Sequence, residues 1–170
     1  MKYELIEKLG VIQSFGNGTE MVLNFISWNG EEPVYDVRPW QEGRFFRGMR
    51  FTASEMETLV TAYEDKFASE SMSCQRCADS SDPDDIGGGL VPVELYRKVA
   101  ELSPERENGF SKWLTITSWN GESPKFDIRD WSRSFQRMRP GLKLEDEPMR
   151  LLAVMYRAKC PRQAAKGGVS

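Results

Sequence analysis

The chain has 170 residues, 39% of them hydrophobic, a net charge of −3 and no histidine. That length suits one medium domain or two small ones, and the lack of histidine excludes a His general base, a Ser–His or Cys–His nucleophile pair and a His-ligated metal. No apolar run approaches the roughly 18–20 residues of a membrane span, and Met-Lys-Tyr-Glu-Leu at the start is no secretory h-region, so a cytoplasmic protein with no membrane partner is expected.

In chain order, Tyr3–Ile12 is rich in β-compatible residues and runs into Gly16-Asn17-Gly18, a turn signal. Met21–Trp28 is the next predicted strand, followed by Asn29-Gly30, a strong signal for a tight hairpin turn, and then by a strand over Pro33–Arg38. The stretch Phe45–Phe51 supplies a fourth, irregular strand. Thr52-Ala-Ser-Glu55 then has capping-box form, and Met56, Leu59, Val60, Tyr63 and Phe67 follow at helical spacing. Residues 68–90 are rich in Ser, Asp and Gly, too poor in apolar residues to fold alone, and read as a flexible acidic linker.

The second half repeats this order. Strands are predicted over Val93–Leu102, Lys112–Trp119 and Lys125–Arg129, with turns at Asn108-Gly109 and Asn120-Gly121 and an irregular strand within Phe135–Leu144. Glu145-Asp-Glu147 places negative charge at a helix N-terminus, Pro148 is tolerable in the first turn, and Met149, Leu152, Met155 and Tyr156 form the apolar stripe. Ser27–Trp40 reads SWNGEEPVYDVRPW and Ser118–Trp131 reads SWNGESPKFDIRDW, with a constant shift (119 − 28 and 131 − 40 are both 91). One unit of roughly 65–70 residues has been written twice. Downstream, Met49-Arg50 is matched with Met138-Arg139, and Thr52–Tyr63 with Glu145–Tyr156.

The fold class expected is therefore α+β: two copies of a four-stranded curved antiparallel sheet followed by one helix, ββββα, at 1–67 and 91–160, with a disordered tail from 161. Units this small bury only about 60% of their unfolded surface, so the copies are expected to share a core as an intrachain pseudo-dimer, helix Ser54–Phe67 against helix Pro148–Arg157. A larger homo-oligomer is the competing arrangement. Charge divides unequally: residues 1–67 carry 7 Lys/Arg against 11 Asp/Glu, residues 68–90 carry 1 against 5, and residues 91–170 carry 15 against 10. The basic second half is the better seat for a polyanion.

Strand alternation separates two faces. Leu114, Ile116, Phe126 and Ile128 share the inward face of the second copy, as do Leu23 and Phe25 in the first. Trp113, Thr115, Thr117 and Trp119, with Lys125, Asp127 and Arg129 across the turn, share the other; Asn24, Ile26, Trp28, Val34, Asp36 and Arg38 repeat it. An aromatic beside hydroxyl groups and an arginine is what single-stranded nucleic acid needs, because bases stack on aromatic faces and arginines meet phosphate. The bland reading of Trp28 and Trp119 is that they are half-buried strand residues completing a core.

These residues resemble the bacterial branch of the positive-cofactor-four-like (p15 C-terminal type) transcriptional coactivators. The resemblance rests on Leu114–Gly121 (LTITSWNG), Lys125–Trp131 (KFDIRDW) and the basic Arg137–Leu144 (RMRPGLKL), and covers about 65 residues per copy. It implies dimerised sheets forming channels for single-stranded DNA, with RNA as the alternative polymer and the transcription machinery as a further partner. Carried over by position, Trp119, Lys125 and Arg129 face the nucleic acid, with Thr117, Trp131, Arg137, Arg139 and Lys143 around them and Trp28 and Arg38 as counterparts in the first copy. Val34 stands in place of Lys125 and Pro39 in place of Asp130, and the first copy shows no Arg-Pro-Gly segment.

Cys74-Gln-Arg-Cys77 and Cys160 give three thiols, too few for a zinc site without help, and the βαβ context of a redox C-x-x-C is missing, so they read as incidental, with an intermolecular zinc clasp or a redox-sensitive linker as the alternatives. No metal, cofactor or catalytic residue is expected. Asp36 and Asp127 each stand two residues from an arginine and read as fold-supporting ion pairs rather than acid–base groups. The expectation is a non-enzymatic protein binding single-stranded DNA with little sequence specificity. The alternative is a protein-interaction module that has lost most of that binding.

Overall fold

The computed structural model describes residues 2–67 and 93–161. It is α+β, with two antiparallel sheets and two helices. The first sheet orders β1 (Tyr3–Ser14), β2 (Glu20–Trp28) and β3 (Val34–Gln41) side by side, and two short strands, β4 (Arg44–Phe45) and β5 (Met49–Phe51), share the far edge of β3. Helix α1 (Ala53–Phe67) follows. The second sheet orders β6 (Val93–Ser103), β7 (Phe110–Trp119), β8 (Lys125–Ser132) and β9 (Leu142–Leu144), and α2 (Asp146–Lys159) follows it. The Cys74–Cys77 motif, the linker and the end of the tail lie outside the described residues.

Local chemistry accounts for the shape. Both Asn-Gly turns hold two consecutive left-handed residues, φ 52° and 79° at Asn29-Gly30 and 52° and 75° at Asn120-Gly121, the geometry whose twist matches paired strands. β1 slips against β2 at three places, between Leu5 and Glu7, Lys8 and Gly10, and Val11 and Gln13. β6 slips against β7 at three matching places, beginning between Leu95 and Arg97. Such bulges bend and twist the strand that carries them, so both sheets curve alike. The capping box forms: Thr52 N–H donates to Glu55 Oε2 (3.0 Å) and Glu55 N–H to Thr52 Oγ1 (3.1 Å). α2 begins at Asp146, two residues before Pro148, and Glu145 makes no side-chain cap.

The helices do not simply face each other. α1 lies chiefly along β6 of the other sheet, and α2 along β1. Tyr63 of α1 packs edge-on against Phe126 (5.6 Å) and Phe67 does so too (5.0 Å), while Tyr156 of α2 packs edge-on against Tyr35 (5.3 Å). Phe126 and Tyr35 are repeat equivalents, 91 positions apart, so the exchange is reciprocal. The helices meet at Arg157, which reaches Glu57 (2.6 Å) and Glu64 (2.9 Å). Lys112 of β7 crosses to the α1 cap, bonding Glu55 Oε2 (2.9 Å) and the Arg50 carbonyl (2.8 Å). Leu23, Val37 and Phe51 thus lie in one apolar cluster with Leu114, Ile128, Leu144 and the buried faces of both helices.

The fourth strands correct the sequence alignment. Tyr35, Asp36 and Val37 pair with Phe51, Arg50 and Met49, whereas Phe126, Asp127 and Ile128 pair with Leu144, Lys143 and Leu142. Met49-Arg50 therefore corresponds to Leu142-Lys143, not to Met138-Arg139, and Gly48 corresponds to Gly141. A Cβ at either glycine would run into the backbone it crosses, Val37 O and Arg38 in one sheet and Ile128 O and Arg129 in the other. The segment before it spans 8 positions from Trp40 to Gly48 but 10 from Trp131 to Gly141. That two-residue difference hides the register in the sequence.

Candidate nucleic-acid interface

The faces turned away from the helices carry the expected contact residues, and most are not open to solvent. Asp127 and Arg129, two apart on β8, share a face and pair at 2.5 Å, the carboxylate fully buried and the guanidinium side chain 6% exposed. Asp127 Oδ2 also accepts from Thr117 Oγ1 (2.7 Å) and Trp119 Nε1 (3.1 Å), so Thr117 is buried in the same network. Asp36 and Arg38 repeat the pair as a fork, Nε to Oδ1 at 2.5 Å and Nη2 to Oδ2 at 2.7 Å. These arginines are spent on their own strand, as the ion-pair reading of the aspartates requires. Their reach toward an incoming phosphate is correspondingly limited.

Trp119 stays half-buried. The Arg129 guanidinium lies 4.7 Å from its ring centroid and Lys143 Nζ lies 4.6 Å away. In the first sheet, Trp28 has Arg38 at 4.6 Å and Arg50 at 4.7 Å. Since Arg50 is the structural counterpart of Lys143, one arrangement, an indole with two cations, has been built twice. Trp28 itself is buried under Tyr3 (5.6 Å) and Phe45 (5.3 Å). It presents no ring face to a ligand.

Trp131 is fully buried, stacked at a tilt on Phe135 (5.5 Å) and grouped with Leu95, Trp113 and Met138. The segment after β8 folds back over it, tied by Ser132 N–H to Arg137 O (2.8 Å) and Arg139 N–H to Asp130 O (3.0 Å). This covering segment carries exposed cations: Arg137 and Arg139 lie 5.6 Å and 4.5 Å from the Phe110 ring, and Lys143 is also exposed. Lys125 is half-buried between Glu122 (3.7 Å) and Glu145 (3.9 Å), which tempers its charge. Trp119, Arg129 and Lys143 are thus brought together, Arg137 and Arg139 form a neighbouring patch on Phe110, and Lys125 lies at a separate carboxylate-flanked position.

Sequence reasoning missed the basic segment of the first copy. Arg44, Arg47 and Arg50 are exposed along β4, β5 and the loop between them, so this copy also has cations there despite its acidic total. The signal was the short Gly-Met-Arg-Phe run ending at Phe51, matching Gly-Leu-Lys-Leu ending at Leu144.

No helix among the described residues is long and apolar enough to cross a membrane. No protein-family model matches the chain. Over 59 residues it is 34% identical to an uncharacterized protein of Treponema pallidum (strain Nichols), a stretch amounting to 34% of this chain and 69% of that one. By that likeness the chain belongs to one family with the Treponema protein.

Proposed function

We propose that the chain is a non-enzymatic single-stranded nucleic-acid-binding protein of the positive-cofactor-four-like type, folded as an intrachain pseudo-dimer. The observation that carries this reading is the duplicated indole with two cations, Trp119 with Arg129 and Lys143 and Trp28 with Arg38 and Arg50, placed beside exposed arginines. The reciprocal packing of each helix on the other sheet supports the pseudo-dimer. In the second sheet, Trp119 is the half-open ring. Lys143, on a flexible stem, moves from that ring to a phosphate as a base stacks, while buried Arg129 and Asp127 hold the indole in place. Arg137 and Arg139 then track the backbone.

The test is fluorescence anisotropy with a labelled oligothymidine at low salt. Arg139→Ala with Lys143→Ala should weaken binding and lower the slope of log K against log[salt] by about 0.7 for each phosphate no longer neutralised. Unchanged affinity and slope would remove these residues from the interface. A second reading, a protein-interaction module, is favoured by the burial of Trp28 and Trp131 and the internal pairing of Arg38 and Arg129. Absence of oligonucleotide binding at low salt would shift the function to it.

A further inference from the structure

The two sheets differ on one patch of the face away from the helices. In the second sheet the Phe135 ring fills it, 5.2 Å from Trp113, 5.5 Å from Trp131, in one cluster with Leu95 and with Lys98 Nζ 4.0 Å above it. Phe135 holds a left-handed φ of 59°, uncommon for a bulky residue, and so is pinned there by its surroundings. The repeat equivalents of those partners are Val22, Trp40, Leu5 and Lys8. In the first sheet these four line an open groove of about 270 Å³. It exists because valine replaces the indole of Trp113 and because the shorter segment to Gly48 puts Glu42 and Gly43 at the rim where the longer loop has Arg133 and Ser134.

The groove wall also holds unused polar groups. Asn24 lines it and is 3% exposed, and among the described residues its Oδ1 has no hydrogen-bond partner; the Trp40 indole Nε1, elsewhere on the same lining, has none there either. A buried donor or acceptor left unpaired is costly, and a ligand whose edge supplies the missing partner to either recovers that cost. Rotation of the Asn24 amide about χ2 lets it offer either its oxygen or its nitrogen. The volume falls just below the roughly 300–1,000 Å³ of drug-sized sites, so one ring system fits. Glu20 and Glu42 on the lining outnumber Lys8 and disfavour a phosphate.

We propose that this groove binds a single planar nitrogen heterocycle of the nucleobase class, unphosphorylated at the ring, against Val22, Leu5 and the part of Trp40 that Tyr3 (5.6 Å) and Phe45 (5.4 Å) leave open. The source is either a free nucleoside or one base of a strand. None of Trp119, Arg139 and Lys143 lines the groove, so the proposal does not depend on the oligonucleotide reading.

The test uses the full chain, ¹⁵N-labelled, and the indole N–H resonances of its five tryptophans. Titration with adenosine and with uridine should shift the Trp40 signal saturably and leave that of Trp119 in place, and the nucleoside 5′-monophosphate should bind more weakly. Val22→Trp, which restores the residue type of the second sheet, should weaken nucleoside binding by at least about tenfold. If that variant does not fold, Asn24→Leu should weaken it by at least about fivefold. No saturable shift up to about 10 mM nucleoside, or full affinity in the folded variant, overturns the proposal. An oligothymidine that displaces the nucleoside identifies the base as part of a strand, and one that does not identifies a free nucleoside; either result retains the site. If nucleosides bind at Trp40 while oligonucleotides bind nowhere, the site stands and the strand-binding reading falls.

Discussion

Replacing Arg38 or Arg129 by alanine removes the partner of a fully buried carboxylate, and the two substitutions should not cost the same. Breaking a buried pair by deleting one member costs about 3–5 kcal/mol, because the other charge stays behind in a poor solvent. In the first sheet both oxygens of Asp36 bond to Arg38. Without that fork neither keeps a side-chain donor among the described residues, so Arg38→Ala should take the full cost of about 3–5 kcal/mol. In the second sheet Asp127 keeps Thr117 Oγ1 and Trp119 Nε1 on Oδ2 after Arg129 is gone. Hydrogen bonds to a charged group contribute about 1.5–3 kcal/mol each, so Arg129→Ala should be milder by at least about 1 kcal/mol. Urea unfolding followed by circular dichroism and tryptophan fluorescence, without nucleic acid, measures both. Against a typical total of about 5–15 kcal/mol the first loss is a large fraction. Replacing the whole pair, Asp36→Leu with Arg38→Met, should recover most of it. Equal costs in the two sheets, or losses below about 0.5 kcal/mol in both, would refute this account of the buried pairs. The same reasoning disqualifies alanine at Arg129 as a clean probe of binding, since lost affinity would be confounded with lost fold.

Gly141→Ala and Gly48→Ala each place a methyl group against crossing backbone, and each should destabilise by about 1–3 kcal/mol or more, read from the denaturation midpoint; a neutral result would mean β9 or β5 can shift. Lys112→Met removes a cation held by Glu55 and the Arg50 carbonyl at side-chain exposures of 12% and 11% for the ion pair, and should cost about 1–3 kcal/mol. An unchanged midpoint would show that the link contributes nothing between the halves. Burial, then the Cys160 thiol, raises the Tyr35 phenol, and burial, then Glu57, pushes Tyr156 up to about 12. Both protons are held more tightly folded than unfolded, so this stability is fully present below pH 10 and lost as pH climbs from there toward 12 and beyond. Unfolding free energy should fall over that window, with these tyrosines titrating late by absorbance; a flat profile would contradict their burial.

What could be read from the sequence was local. Asn29-Gly30 and Asn120-Gly121 demand a particular turn, Thr52 and Glu55 bond each other across three residues, and alternation separates Leu114 and Ile116 from Thr115 and Thr117. These signals act within a few residues, so spacing reveals them. The fourth-strand register did not show, because Gly48 and Gly141 stand at different distances from their tryptophans and only the crossing over Val37 and Ile128 identifies them. The closure of the far face was equally hidden. Alternation says that Arg129 and Trp131 leave the helix side; that Asp127 captures the arginine and Phe135 covers the indole depends on a loop folding back. Where each helix goes is a long-range matter that its own stripe of Met56, Leu59 and Val60 does not specify.

The reciprocal seating of the helices has a consequence for synthesis. When residue 67 leaves the ribosome, Tyr63 and Phe67 have nowhere to dock, since the sheet that holds Phe126 and β6 has not yet formed. Another 77 residues separate Phe67 from Leu144, the end of the second sheet (144 − 67), a delay of about 4–15 s at ordinary elongation rates. During that interval the apolar face of the first half is without its cover, so its folding is expected to complete only after the second sheet has been made. Ribosome-bound chains halted at residue 100 should be cut readily by protease within α1, and chains with Tyr156 clear of the exit tunnel should resist; early protection would mean the first half folds unaided. A slower codon stretch between the halves would lengthen the exposure, and a holdase bound to the first half would shorten its harm.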